Sequence, residues 1–292
     1  MNKHYKNILI FIFVIINCIE ITTWYNESAC IKDVENNINV QDRLEKIKAK
    51  GVLTVASSNE EAVFFIDPNT NEIKGIDGEI ITEAAKRLGI NKVQLKVVPF
   101  DKLFTQLYED DEIDIIADQI YVTDERKKKL LFTNKWYKDY EGIITPKVSP
   151  IVFKEDLINA SKVGVQVGTV KEEFAKKLKE EGKIKEMVLF PSQKELLAAV
   201  NAGKVDAGIS DAITVTYALL KDKNLYLKVL STKENKPELP GEVAAAVRKS
   251  DVTLANAINE VVDEMKRKGI VLDILKKYGL NESFYISVED EK

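Results

Sequence analysis

Leu196-Leu197-Ala198-Ala199-Val200-Asn201-Ala202-Gly203-Lys204-Val205-Asp206-Ala207-Gly208-Ile209-Ser210-Asp211 passes from a helix through a turn into a short apolar strand tipped by two polar residues. The helix opens at Ser192, which with Glu195 makes a capping box. The same order stands earlier in the chain, where Leu103-Phe104 and Leu107 precede the apolar Ile113-Asp114-Ile115-Ile116-Ala117 and then Asp118-Gln119. In open α/β sheets, ligands bind outside the carboxyl ends of the strands. Two lobes with facing strand ends make a cleft, and polar tips at equivalent places favour a shared site over duplication for stability alone.

Outward from these stretches, strand and helix alternate. Residues 52–56 and 73–76 read as strands, and Asp77 as the cap of a helix carrying Ile80, Ile81, Ala84, Ala85 and Leu88 at helical spacing, stopped by Gly89. A strand over 93–97 and a helix over 102–109 follow, the latter with Leu103, Phe104 and Leu107 inward. Beyond Pro146 and Pro150 come a strand (163–167), a helix (171–180) and a strand (187–190). Alternating βαβ units imply mainly parallel sheets with helices on both faces. The fold class is therefore α/β: two doubly wound lobes joined by a two-strand hinge.

The last segment differs, with a strand over 242–247, a long amphipathic helix capped by Ser250 and a final helix over 270–278. Prolines at 146, 150, 237 and 240 punctuate two inter-lobe stretches. The expected wiring crosses outward near 143–147 and back near 237–242. Lobe one then comprises 43–145 and 242–284, lobe two 146–241, and 285–292 a tail.

With 45% hydrophobic and 31% charged residues, the 292-residue chain can bury a substantial core. Its net charge of −4 is interleaved, which argues against a nucleic-acid surface. Lys127-Lys128-Lys129 reads as a solvated helix face. The only histidine is His4, and the only cysteines are Cys18 and Cys30. Everything after Cys30 lacks the usual zinc ligands and the base or nucleophile of Ser-His or Cys-His enzymes. Carboxylate-only chemistry remains open; no metal or other cofactor is implied.

At the N-terminus, Lys3 and Lys6 precede an apolar run over 8–16, the pattern of a secretory signal spanning 1–17. The run is shorter than the roughly 20 apolar residues of a membrane span. Ile15-Ile16-Asn17-Cys18 resembles the lipobox of bacterial lipoproteins, with Asn17 in place of the usual small residue; lipidation at Cys18 would tether the chain at the membrane surface. A Cys18–Cys30 disulfide is the alternative under oxidising conditions. Residues 18–42, Asn-rich from 26 onward, read as a flexible tether. Cleavage before Cys18 removes Lys3 and Lys6, taking the charge to about −6.

Several ordered motifs carry a resemblance over about 51–279. They are Lys74-Gly75-Ile76-Asp77, Pro99-Phe100-Asp101-Lys102-Leu103, Gln119-Ile120-Tyr121-Val122-Thr123-Asp124-Glu125-Arg126, Gly164-Val165-Gln166-Val167-Gly168-Thr169 and Gly203-Lys204-Val205-Asp206-Ala207. Together they resemble the bacterial amino-acid solute-binding proteins of ABC importers, family 3, with the type II periplasmic binding fold. The resemblance implies an extracytoplasmic monomer that closes on a small amino acid and delivers it to a membrane permease.

The roles implied by the resemblance agree with elementary physics. Arg126 follows Thr123, a helix N-cap, where a cation gains nothing from the helix dipole; a planar guanidinium there suits an α-carboxylate, with a surface pair to Asp124 or Glu125 as the plainer alternative. Backbone N–H groups of Thr169 and Val170 begin a helix and can point at an anion. Asp211 is placed for an α-ammonium, or to cap the helix that follows it. Asp114 and Asp206 read as strand-end or turn residues. Phe100 supplies one aromatic wall, and Tyr121 or Phe64 another.

Departures from the family pattern bear on specificity. Glu61-Ala62-Val63-Phe64 stands where relatives often carry a stacking aromatic, and Asp118 replaces a frequent Ser. Gln119 is similar to that of cystine-binding relatives. If Glu61, Asp118 and Asp211 face the cleft against Arg126, the excess acid favours a second cationic group on the ligand. The expected ligand is a polar or cationic amino acid, with cystine or cysteine as the alternative. A competing reading is a dehydratase of prephenate or arogenate on the same fold, with Glu61 or Asp118 as general acid. A receptor ectodomain is disfavoured, since no membrane segment follows Asp290.

Overall fold

The computed structural model describes residues 42–291; the expected signal segment, most of the tether, Cys18 and Cys30 lie outside them. Helix α1 (Arg43–Lys50) leads into β1 (Val52–Ser57), the short β2 (Phe65–Ile66) and β3 (Ile73–Lys74), α2 (Ile76–Arg87) and β4 (Lys92–Val97). Then come α3 (Leu103–Glu109), β5 (Ile115–Ile116), α4 (Asp124–Lys129), β6 (Leu131–Phe132) and β7 (Tyr137–Asp139). The second lobe contains β8 (Glu141–Pro146), β9 (Lys162–Gln166), α5 (Val170–Glu180), β10 (Glu186–Phe190), α6 (Gln193–Asn201), β11 (Ala207–Asp211), α7 (Ala212–Lys221) and β12 (Leu227–Val229). The chain returns through β13 (Gly241–Val243) to β14 (Ala246–Val247), α8 (Val252–Arg267) and α9 (Ile270–Lys277).

Each lobe is built on a five-stranded sheet, in the orders β4-β1-β5-β14-β6 and β10-β9-β11-β8-β12. The strands read from alternation are parallel, β1 with β4 and β5, and β9 with β10 and β11. The strands at the crossings, β14 and β8, run antiparallel to their neighbours. Helices cover both faces. Val163, Val165 and Ile209 pack with Phe174 and Leu178 of α5, while Ile144 packs on the opposite face with Leu196 and Val200 of α6. In the first lobe, Leu53 and Val55 pack with α2 and α8, and Ala56 and Ile116 with Leu103 and Leu107 of α3.

The hinge is the antiparallel pair β7 and β13, with Asp139 opposite Gly241 and Tyr137 opposite Val243. The outward crossing therefore precedes the expected 143–147. Residues 141–146, assigned from sequence to the first lobe or the crossing, form a central strand of the second sheet, because β8 pairs with both β11 and β12. Gly241 is required at the hinge, since a Cβ there would lie 2.0 Å from the Tyr121 ring.

Local corrections have local causes. The N-cap of α2 is Gly75, and Asp77 sits in its first turn with its carboxylate turned to other partners. The N-cap of α8 is Asp251, and Ser250 donates its hydroxyl to the Asp251 carboxylate. Ser192 does cap α6 by accepting from Glu195 N–H. The expected tail is partly integrated: Tyr285 bridges to Tyr137, and Ile286 is buried.

Candidate functional site

The strands β1, β5, β9 and β11 direct their carboxyl ends at one narrow cleft between the lobes, whose free volume of about 20 Å³ leaves room for about one water. Arg126, Asp211, Thr169, Val170, Gln119, Tyr121, Phe100 and Asp118 all line it. Glu61 does not. It is exposed, and its neighbour Glu60 faces the cleft instead. The cause is a tight turn in which Asn59 and Ala62 both take left-handed backbone (φ 60° and 72°) and Val63 and Phe64 N–H return to the Glu60 carbonyl. Phe64 is fully buried in the first lobe's core, leaving Phe100 and Tyr121 as the aromatic walls.

Arg126 stands in the first turn of α4, whose N-cap Thr123 accepts from Arg126 N–H at 3.2 Å. The guanidinium donates to the Tyr121 carbonyl at 2.9 Å and lies 5.0 Å from the Phe104 ring centroid. Its other arm reaches the Gly168 carbonyl of the second lobe at 3.5 Å. It forms no ion pair among the described residues. Burial lowers its pKa to about 10, with Glu173 and Asp211 opposing, so it stays charged at neutral pH. A half-buried cation without a carboxylate partner is poised for an anion.

Gly168-Thr169 begins α5 as the sequence suggests. Thr169 is the N-cap, its hydroxyl accepting from Glu172 N–H and donating to the Gln166 carbonyl at 2.8 Å. The hydroxyl is committed locally; the amides of Thr169 and Val170, preceding the first intrahelical bonds, remain the groups suited to an anion. Gly168 has φ 79°, and a Cβ on it would lie 2.9 Å from Asp101 Cα of the first lobe. Close apposition of the lobes depends on this glycine.

On the acidic side, Asp118 accepts from Ser57 Oγ at 2.6 Å and Ser58 N–H at 3.0 Å. Burial nevertheless raises it to about 6 against those hydrogen bonds. Glu60 is pushed further, to about 8, first by burial and then by Asp118, with the Gln193 backbone N–H pulling it back. Gln119 has φ 52°, held by its N–H donating to Asp77 at 2.7 Å. Its side chain donates to Asp139 and accepts from Thr214, so it shapes the wall more than it offers free hydrogen-bonding groups. Burial raises Asp77 to about 7; burial and then Asp211 raise Asp139 well above the carboxylate range.

Asp211 does not cap α7 with its side chain. One oxygen accepts from Lys171 Nζ and the other from Gln193 Nε2 at 3.0 Å, while Gln193 is fixed by Ser210 and Gln166. Lys171 is the residue that sequence reading missed. Its side chain is 3% exposed and its ammonium lies 3.5 Å from the centroid of the Tyr121 ring. The signal was available: like Arg126, it is a cation in the first turn of a helix, where the dipole disfavours it. Asp114 and Asp206 are structural, accepting from Thr54 N–H and from Ser161 and Lys162 N–H. Among the described residues, no cluster of three or more His, Cys, Asp or Glu is arranged for a metal, and no helix is long and apolar enough to cross a membrane.

Two doubly wound sheets, hinged on a strand pair and facing across a polar cleft, define a two-lobed solute-binding protein. The chain belongs to the bacterial extracellular solute-binding proteins, family 3, whose profile matches residues 53–281. L-cystine-binding protein TcyA of Bacillus subtilis is 29% identical over 246 residues, covering 84% of this chain and 87% of that protein. The lysine/arginine/ornithine-binding periplasmic protein of Escherichia coli is 27% identical over 207 residues, covering 70% and 78%. Among solved structures, an ancestral arginine-binding protein bound to arginine superposes with a TM-score of 0.69 at 28% identity, covering 78% of this chain and 98% of that one.

Proposed function

We propose that the cleft captures an amino acid with a cationic or polar side chain outside the cytoplasm and hands it to a membrane permease. The observation that carries this reading is the disposition of unpaired charge. Arg126, without an ion pair, meets the ligand carboxylate together with the Thr169 and Val170 amides. Glu60 and Asp118, both raised by burial, meet a second positive group. The acidic and basic lining residues are Arg126 and Lys171 against Glu60, Asp118 and Asp211; burial holds Glu60 mostly protonated at neutral pH, and a cationic ligand against it favours the ionised form that gives the lining one net negative charge. The arginine-binding relative and the lysine/arginine/ornithine-binding protein support this reading. Cystine, bound by TcyA, is the second candidate because it also brings a second ammonium.

Glu60 and Asp118 act here as binding carboxylates, and the ligand leaves unchanged. The chain works as a monomer, anchored by lipid at Cys18. A thermal-shift screen with the common amino acids and cystine tests the reading. A ligand at a hundred times its Kd adds about 2.7 kcal/mol of stability; no shift across the panel counts against it, and turnover of prephenate or arogenate by the purified chain, seen by mass spectrometry, counts for the dehydratase alternative.

A further inference from the structure

The Lys171 ammonium occupies a built seat. Asp211 supplies the carboxylate, Gln193 fixes that carboxylate's other oxygen, and the Tyr121 ring supplies a π face. All of this chemistry suits any primary ammonium. The lysine therefore acts as an internal probe of what the seat takes. We propose that Lys171 is a tethered competitor for this seat, displaced when the α-ammonium of an amino acid enters, and that this exchange sets which ligands bind. The proposal rests on the amino-acid reading above.

The exchange is physically reasonable at both ends. Asp211 stays paired throughout, so neither state leaves a buried carboxylate alone, which is the costly condition. Lys171 sits in the first turn of α5, where the helix dipole gives its charge no support, and its four-carbon stem is flexible enough to carry the ammonium away. A group tethered this way competes at an effective concentration on the order of millimolar. Lys171 also joins the lobes, since Asp211 belongs to the second and Tyr121 to the first. With the Arg126 contact to the Gly168 carbonyl, it bridges the cleft where a ligand would. An amino acid thus replaces an existing bridge, while a carboxylic acid without an α-ammonium leaves the lysine seated.

The test is calorimetric titration of the full chain and Lys171→Met, which keeps the unbranched stem and removes the charge. The ligands are arginine, lysine, histidine and cystine, followed by the α-desamino analogue of the best binder. The variant should bind its amino acid at least about tenfold more tightly than the parent chain, with no such gain for the desamino analogue. Lys171→Gln should gain in the same direction and decides the matter if the methionine variant does not fold. Equal or weaker binding by the variants, while the parent binds, overturns the proposal and leaves the amino-acid reading standing. Failure of every amino acid on parent and variants alike overturns both.

Discussion

Burial and Asp118 hold Glu60 at about 8, and a guanidinium or ammonium placed against it favours its ionised form. Binding a cationic amino acid therefore expels its proton, and affinity follows the ionised fraction of the free protein. That fraction rises from about 1% at pH 6 to about 9% at pH 7 and about 50% at pH 8. The association constant should climb about fiftyfold over these two units, about 2.3 kcal/mol. Asp118, at about 6, steepens the lower end. Titrations in two buffers of different ionisation heat count the protons directly: close to one released per ligand at pH 7, and about half of one at pH 8. Glu60→Gln should flatten the dependence above pH 7. A cationic ligand whose affinity is level from pH 6 to 8, with no buffer-dependent heat, refutes the placement of its charge at Glu60.

Three further outcomes follow from the same geometry. Arg126→Ala should weaken binding by about 2–5 kcal/mol, from about thirtyfold to several thousandfold, measured by titration calorimetry. Gly168→Ala forces a side chain onto left-handed backbone, costing about 1–2 kcal/mol, and sets its Cβ 2.9 Å from Asp101 Cα; small-angle scattering should then show a more open chain with ligand present. Without ligand, thermal stability should fall as pH rises from about 5 to 8. Glu60, Asp118 and Asp77 are all raised in the folded chain, so the folded state holds protons that the unfolded state has lost, and their contribution disappears as pH passes the folded values.

The parallel strands and their helices were legible because each is local and alternates plainly, and the sites at their carboxyl ends came with them. The hinge was not. Glu141–Pro146 is an apolar run whose partners, Ala207–Asp211 and Leu227–Val229, lie far along the chain, and antiparallel pairing at that distance leaves no local mark. Glu60 and Glu61 were confused because the turn between them and the core uses left-handed Asn59 and Ala62 with no glycine to announce it. Lys171 was lost in the composition of its helix, where Lys171-Glu172-Glu173 looks like a solvated face. The dipole argument that singled out Arg126 applies to it equally.

The central claim is that Arg126 receives the ligand's carboxylate while Glu60 and Asp118 receive its distal charge. The crystal structure of the chain with the amino acid that gives the largest thermal shift tests it most directly. The carboxylate should lie within about 3 Å of the Arg126 guanidinium and the Thr169 or Val170 amide, and a nitrogen of the side chain against Glu60 or Asp118. A ligand whose carboxylate lies elsewhere, or whose distal group is anionic and faces these two acids, contradicts it.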